Sequence, residues 1–186
     1  MDLVSLLEIV AEKLDKAKIP YMVSGGVAVS YWGFPRTTHD IDIVIEAQRE
    51  DKDKIVTLFK KDFYISPKAA KDAIETRFTF NVIHLKSGTM IDFWLVQKNA
   101  FGISEFKRKL RRKIYDKKIS IISPEDLILN KLSGYKETQS NRRLEDARSI
   151  LKTSKVDLKY IKDWAKRQST AKILKEILNK IPAEPL

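Results

Sequence analysis

Six consecutive residues, Asp40-Ile41-Asp42-Ile43-Val44-Ile45, constrain this chain more than any other stretch, because Asp40 to Ile43 alternates acid and isoleucine at a period of two. A period of two belongs to a β-strand, whose successive side chains point to opposite faces. Ile41, Ile43 and Ile45 therefore face a core, while Asp40 and Asp42 project together from the other side. Carboxylates that close repel one another unless a proton or a cation compensates. Hard oxygen ligands at this spacing suit Mg²⁺ or Mn²⁺, which complete their shells with water and substrate phosphates. The pair alone is equally what a solvent-facing edge strand displays, so its neighbours have to decide between the two.

Upstream, Tyr21-Met22-Val23 reads as a short buried strand that runs into Ser24-Gly25-Gly26 and then a helix over Val27 to Trp32. A glycine turn between a strand and a helix start offers free backbone N–H groups and the positive end of a helix dipole to an anion. Without a Cβ in the way, a phosphate can approach the main chain there. An isolated Gly-Gly is also simply a tight turn; strand, Gly-Gly, helix, basic loop and D-x-D in succession is a rarer string. Downstream, a third acid, Asp92, interrupts the apolar run Met90 to Val96, where desolvating a charge is costly. If that run neighbours Asp40 to Ile45, Asp92 completes a metal site and can take the proton of an attacking hydroxyl.

The other elements follow from pattern. Leu3, Leu6, Leu7, Val10 and Leu14 mark an amphipathic helix over Met1 to Ala17, and Glu50 to Lys61 and Pro67 to Glu75 read as two more. Phe78 to Leu85 and Met90 to Val96 form a hairpin about Lys86-Ser87-Gly88-Thr89, and Ile119 to Ile122 is a further strand. Ser123 fits an N-cap and Pro124 a first helical position for a helix to about Tyr135; Arg143 to Lys152, Asp157 to Arg167 and Thr170 to Ile181 complete a helical C-terminal region. The expectation is an α+β fold: a mixed sheet flanked by helices over residues 1–122, then a helical bundle over 123–186 packing on the active-site side.

Composition removes several classes. With no cysteine among 186 residues, disulfides, thiolate zinc sites and a cysteine nucleophile are excluded. His39 and His84 lack metal-ligand spacing. Acids interrupt the N-terminal helix and no long apolar run occurs, so the expectation is a soluble cytoplasmic protein with no membrane partner. A formal charge of +11 favours polyanions such as NTPs or RNA. The stretch Lys107 to Lys118 holds eight basic residues and one acid; it reads as a solvated face or, beside a nucleotide site, as a grip on a nucleic-acid backbone. Trp32, Trp94 and Trp164 read as core aromatics, although Trp94 shares a strand face with Asp92 and is placed to stack on a base.

From Val23-Ser24-Gly25-Gly26 to Thr37-Thr38-His39-Asp40-Ile41-Asp42, with Asp92 as third acid, the chain resembles the DNA polymerase beta-like nucleotidyltransferase superfamily. The R-x-T-x-D-x-D arrangement of Arg36, Thr38, Asp40 and Asp42 is similar to the AbiEii-type branch, which includes toxins of toxin–antitoxin pairs; aminoglycoside nucleotidyltransferases are similar over the same stretch. The likeness to the AbiEii type continues through Ser123 to Lys131 and Arg142 to Arg148, although Ala147 and Arg148 stand where that branch often carries a second acid. The resemblance implies NMP transfer from an NTP to an acceptor hydroxyl (RNA, particularly tRNA, protein or a small molecule), with Mg²⁺ or Mn²⁺ held by Asp40, Asp42 and Asp92. Asp92 doubles as the base. Ser24, Gly25, Gly26, Arg36, Thr38 and Lys131 serve the nucleotide, Asp146 positions Lys131 or the substrate, and a cognate antitoxin is the protein partner that the toxin relatives imply. A surface role for Lys131, and a helix-face pairing of Asp146 with Arg142 or Arg143, are the structural alternatives. The rival function is a non-catalytic nucleotide- or nucleic-acid-binding module that retains the fold.

Overall fold

The computed structural model describes residues 2–181; the expected helical character of Met1 and the part of region 123–186 beyond residue 181 lie outside it. In chain order the elements are α1 (Leu3–Lys16), β1 (Tyr21–Val23), α2 (Gly25–Trp32), β2 (Asp40–Ile45), a 3-10 turn (Arg49–Asp51), α3 (Lys52–Phe59), β3 (Phe63–Ile65), α4 (Pro67–Thr76), β4 (Thr79–His84), β5 (Met90–Leu95), α5 (Ala100–Lys107), β6 (Leu110–Ile114), β7 (Lys117–Ile121), α6 (Pro124–Thr138), α7 (Asn141–Thr153), α8 (Leu158–Arg167) and α9 (Ala171–Asn179). The fold is α+β, as expected. Helix starts follow capping chemistry: the carboxylate of Asp2 accepts from the Ser5 N–H at 2.8 Å, Asn99 accepts from Gly102 N–H at 2.8 Å, and Ser123 accepts from Asp126 N–H at 3.1 Å with Pro124 just inside.

The chain packs as two compact units, Met1–Val27 with Thr37–Ile122, and Ala28–Arg36 with Ser123–Leu186. In the first, seven strands form one mixed sheet in the order β3-β4-β5-β2-β1-β7-β6. β2 pairs with β5 in parallel and with β1 antiparallel, so the D-x-D strand is interior to the sheet. Its isoleucines are fully buried, as alternation requires, and α1 packs near β2 and β7 through a stripe that buries Leu7, Val10 and Leu14. Toward the other edge the same core face is aromatic: Phe80 stacks on Phe93 with ring centroids 5.1 Å apart, and Phe59 packs on Phe93 at 5.2 Å and edge-on to Phe63 at 5.3 Å.

In the second unit α6 packs against α7 and α8, and α9 against α7 and α8, around Leu129, Leu132, Ile150, Ile161 and Leu174. Asp126, fully buried on α6, is satisfied by Ser123 Oγ at 2.5 Å and by the Tyr160 hydroxyl of α8 at 2.7 Å. The segment Ala28–Arg36 belongs here as well: the hydroxyls of Thr153 and Ser154 both donate to the Trp32 carbonyl at 2.6 Å.

Strands β3 and β6 and helix α5 arise where the sequence pattern foretold no regular element. The basic run Lys107 to Lys118 is mostly the β6–β7 hairpin, at one edge of the sheet. Several of its charges are paired with α1: Arg111 with Asp15 at 3.1 Å and Lys117 with Glu12 at 2.5 Å. The second of these pairs holds the Glu12 carboxyl down to about 2, through its hydrogen bonds to Lys117 and Lys16. Among the described residues no helix is long and apolar enough to cross a membrane.

Candidate active site

The parallel register of β2 on β5 places Asp40 opposite Met90, Asp42 opposite Asp92 and Val44 opposite Trp94. Residues paired this way in neighbouring strands project from the same face, so Asp42 and Asp92 stand side by side, with Asp40 two positions along. That face is half-open, whereas the intervening Ile41, Ile43, Ile91 and Phe93 are fully buried on the other. Thr38 donates to Asp40 Oδ1 at 2.7 Å, and the Trp94 indole N–H reaches Asp42 Oδ1 at 3.4 Å. Burial, then the negative charges of Asp42 and Asp40, push the Asp92 carboxyl above its ordinary 3.8. An acid raised by burial and by two neighbouring carboxylates belongs to a donor set that a hard cation relieves.

Side-chain orientation stops short of a finished cage. Among the described residues, no three His, Cys, Asp or Glu side chains are gathered into a ready metal-binding group. Asp40 Oδ1 is engaged by Thr38 and Asp42 Oδ1 by Trp94. The donor chemistry and the backbone spacing fit Mg²⁺ or Mn²⁺ held by Asp40, Asp42 and Asp92.

The Ser24-Gly25-Gly26 turn is built against these acids. The Ser24 N–H donates to the Asp42 carbonyl at 2.9 Å, tying the turn to β2. Gly25 opens α2 with φ +58°, and a Cβ there would lie 1.7 Å from Asp42 Oδ2; a Cβ on Gly26 would lie 2.4 Å from Thr38 Oγ1. Only glycine at these positions leaves the helix start, the threonine and the acid in contact.

Arg36, Lys131 and Asp146 gather in the second unit. The Arg36 guanidinium grips Asp146 with Nε at 2.7 Å and Nη2 at 3.0 Å, and Lys131 Nζ donates to Asp146 Oδ2 at 2.9 Å. Asp146 is 4% exposed. Burial pushes its carboxyl up, but the hydrogen bonds and charges of Arg36 and Lys131 outweigh this and hold it below 3.8. Lys131 is thus not a loose surface lysine, and Asp146 holds both Arg36 and Lys131. The trio carries one net positive charge.

One residue of the acid-bearing face, Asn81, escapes the sequence reading, and another, Trp94, is put on the right face but expected in the core. Trp94 is 43% exposed on that face, not in the core as expected; Trp32 and Trp164 are half-buried. Its alternation with Asp92 along β5 was the available signal. Asn81, opposite Asp92 on β4, needed the hairpin register, which sequence alone does not supply. His39 is exposed in its loop; His84 is buried, its Nδ1 2.8 Å from Ser87 Oγ.

Comparison with known proteins gives the same architecture. An antigenic nucleotidyltransferase-like protein from Paracoccidioides brasiliensis is similar with a TM-score of 0.67 at 18% identity, over 97% of this chain and 88% of its own. The antibiotic-resistance factor ANT(2'')-Ia in solution gives 0.61 at 12% identity, over 96% and 97%. The lincosamide antibiotic adenylyltransferase LnuA, lincomycin-bound, gives 0.56 at 14%, over 83% and 99%. Identities this low establish the nucleotidyltransferase fold. No curated protein sequence matches significantly. A family model, aminoglycoside-2''-adenylyltransferase, matches residues 6–145, a span that holds Ser24 to Gly26, Arg36, Thr38, all three acids and Lys131. By that match the chain belongs to the aminoglycoside-2''-adenylyltransferase family of the nucleotidyltransferase superfamily.

Proposed function

We propose that this protein transfers the nucleoside monophosphate of an NTP to an acceptor hydroxyl, releasing pyrophosphate, with Mg²⁺ or Mn²⁺ held by Asp40, Asp42 and Asp92. The observation that carries the reading is the lateral pairing of Asp42 with Asp92 on one open face, with Gly25 pressed against Asp42. A bound divalent cation would neutralise charge developing on the phosphoryl oxygens. Asp92, a carboxylate made more basic by burial and by the charges of Asp42 and Asp40, is suited to take the proton of the acceptor hydroxyl. The Gly25 and Gly26 main chain at the start of α2 is suited to anionic oxygens, with the Ser24 N–H bonded to the Asp42 carbonyl to hold the turn on β2, and Thr38 orients Asp40. Arg36 and Lys131 provide two cations for phosphate, with Asp146 holding both in place.

Family membership supports a small-molecule acceptor. A tRNA acceptor, a cognate antitoxin and the AbiEii-type branch rest on the R-x-T-x-D-x-D resemblance and on the net charge of +11. The cytoplasm, which supplies NTP and divalent cation, is the compartment this chemistry requires. The test incubates the protein with each α-labelled NTP and Mg²⁺, offering aminoglycosides, total RNA, cell extract or no acceptor. Product is then assayed for nuclease and protease sensitivity. The proposal expects incorporation that disappears in Asp42→Ala. Wild-type protein that labels nothing but still binds nucleotide or nucleic acid would establish the non-catalytic module instead.

A further inference from the structure

Gly134 is buried inside α6, where glycine destabilises a helix because it surrenders the most backbone freedom on folding. A cation fills the place of its missing side chain: a Cβ there would lie 2.0 Å from Arg143 Nη1 and 2.7 Å from Arg143 Cζ. The guanidinium carried by α7 therefore lies directly on the α6 backbone, and any larger residue at 134 would displace it. Residue 131 meets 146 and residue 134 meets 143, so the two helices run antiparallel along this seam. Arg143 is thereby seated beside the contact of Lys131 with Asp146, about 4.5 Å further along the α6 axis.

Folding gives Arg143 no counter-ion in that seat. Asp146, the acid three positions further along α7, is held by Arg36 and Lys131. Among the described residues the Arg143 side chain has no hydrogen bond or ion pair; Glu137 of α6 and Glu145 of α7 are exposed and do not engage it. Its place on α7 is also unfavourable, because Arg142 and Arg143 fall in a first turn that holds no acid, at the positive end of the helix dipole. A planar guanidinium that is half-buried, unpaired and set beside an ammonium suits phosphate oxygens.

Resting on the nucleotidyl-transfer reading above, we propose that Arg143 is a nucleotide-binding residue and that the α6–α7 seam takes two phosphates of one NTP at once, one on Arg36 and Lys131 and the next on Arg143. Arg36, Lys131 and Arg143 set three cations against the single acid Asp146, which leaves the seam two positive charges for the phosphate chain. The seam selects by chain length: a triphosphate is gripped at two points, a monophosphate at one. Gly134 is the residue that keeps the second point in place.

Binding is measured in EDTA with no acceptor, apart from the transfer experiment. Transfer that fails beside intact binding counts against the reading above; binding that fails beside intact transfer counts against Arg143. The full chain is titrated calorimetrically with inorganic tripolyphosphate, orthophosphate, ATP and a short oligoribonucleotide. Tripolyphosphate and ATP are expected to bind. Arg143→Gln should reduce the preference for tripolyphosphate over orthophosphate about tenfold, and Arg143→Lys should restore part of it. Gly134→Ala should match Arg143→Gln; if it does not fold, the two Arg143 variants carry the test. Lys162→Gln, which removes one exposed charge from α8, should leave the preference unchanged. A chain that does not bind tripolyphosphate, an Arg143→Gln protein with undiminished preference, a Lys162→Gln protein that loses as much, or an oligoribonucleotide that binds more tightly than ATP and depends on Arg143 would each overturn the assignment.

Discussion

Replacing Asp92 with Asn should stabilise the metal-free protein at neutral pH, against the usual direction for a substitution inside a strand. Asp92 and Asp42 are register partners on adjacent strands, so their side chains leave the sheet about 5 Å apart, the separation taken for their charges. At that distance like charges cost about 0.8 kcal/mol in water and about 3 kcal/mol at an effective dielectric of 20. The face is half-open, which puts the expected gain near the lower end, about 1 kcal/mol, or about 2–4 °C in Tm. Because the folded state raises the Asp92 pKa, its contribution is fully favourable below the unfolded value of 3.8 and is lost as pH rises through the folded pKa. The advantage of Asp92→Asn should therefore be absent near pH 3.8 and grow toward pH 7. Thermal unfolding in EDTA across that range measures it. Added Mg²⁺ should reverse the order, since only the wild type keeps all three acids for the cation. An Asp92→Asn variant less stable than wild type in EDTA at neutral pH refutes the reasoning and makes Asp92 a structurally bonded acid.

Asp146→Ala leaves Arg36 and Lys131 without their shared counter-ion and should cost about 3 kcal/mol in urea unfolding. With its pKa lowered, wild-type Asp146 gives stability that is present above 3.8 and fades as pH falls through the folded value; Asp146→Asn should lack that acid limb. Gly25→Ala and Gly88→Ala make a matched pair: both glycines have positive φ, +58° and +68°, but a Cβ at Gly25 meets Asp42 and one at Gly88 meets nothing within 4 Å. Each should cost about 1–2 kcal/mol of backbone strain, while NMP transfer is lost only in Gly25→Ala. Tyr160→Phe strips a donor from fully buried Asp126 and should destabilise by about 1–3 kcal/mol without altering transfer per folded molecule, measured by urea unfolding and labelled-NTP incorporation.

Much of the fold was legible because its decisive segments are locally self-consistent. β1 and β2 lie where alternation and apolarity put them, Ser123 caps α6 from its own position, and the hairpin of β4 and β5 forms around Gly88 with φ +68°. Elements written in weak local code were missed. β6 is Leu110-Arg111-Arg112-Lys113-Ile114, whose charges conceal an edge strand that β7 recruits by antiparallel pairing. β3 is three residues long, too short to show a period. Nothing in the chain order announces that β2 and β5 are parallel neighbours, and that long-range choice is what sets Asp42 beside Asp92. Likewise the Arg36–Asp146 pair joins residues 110 positions apart, so resemblance could name both residues but not the contact. The phase of Trp94 along its strand already set it on the face of Asp92, but bulk and apolarity outweighed phase in the expectation of a core residue, and the residue is exposed.

Strands β2 and β5 each have a hydrogen-bonded neighbour on both sides, and this makes the chain intolerant of particular length changes. A slip of β2 by a single position would turn Ile41, Ile43 and Ile45 outward and drive Asp40 and Asp42 into oil. Insertions and deletions in the connections on either side must therefore be absorbed before the ladder begins. Variation in homologous chains should accordingly concentrate in loop lengths such as 33–39 and 85–89, while the phase of the acids along their strands stays locked.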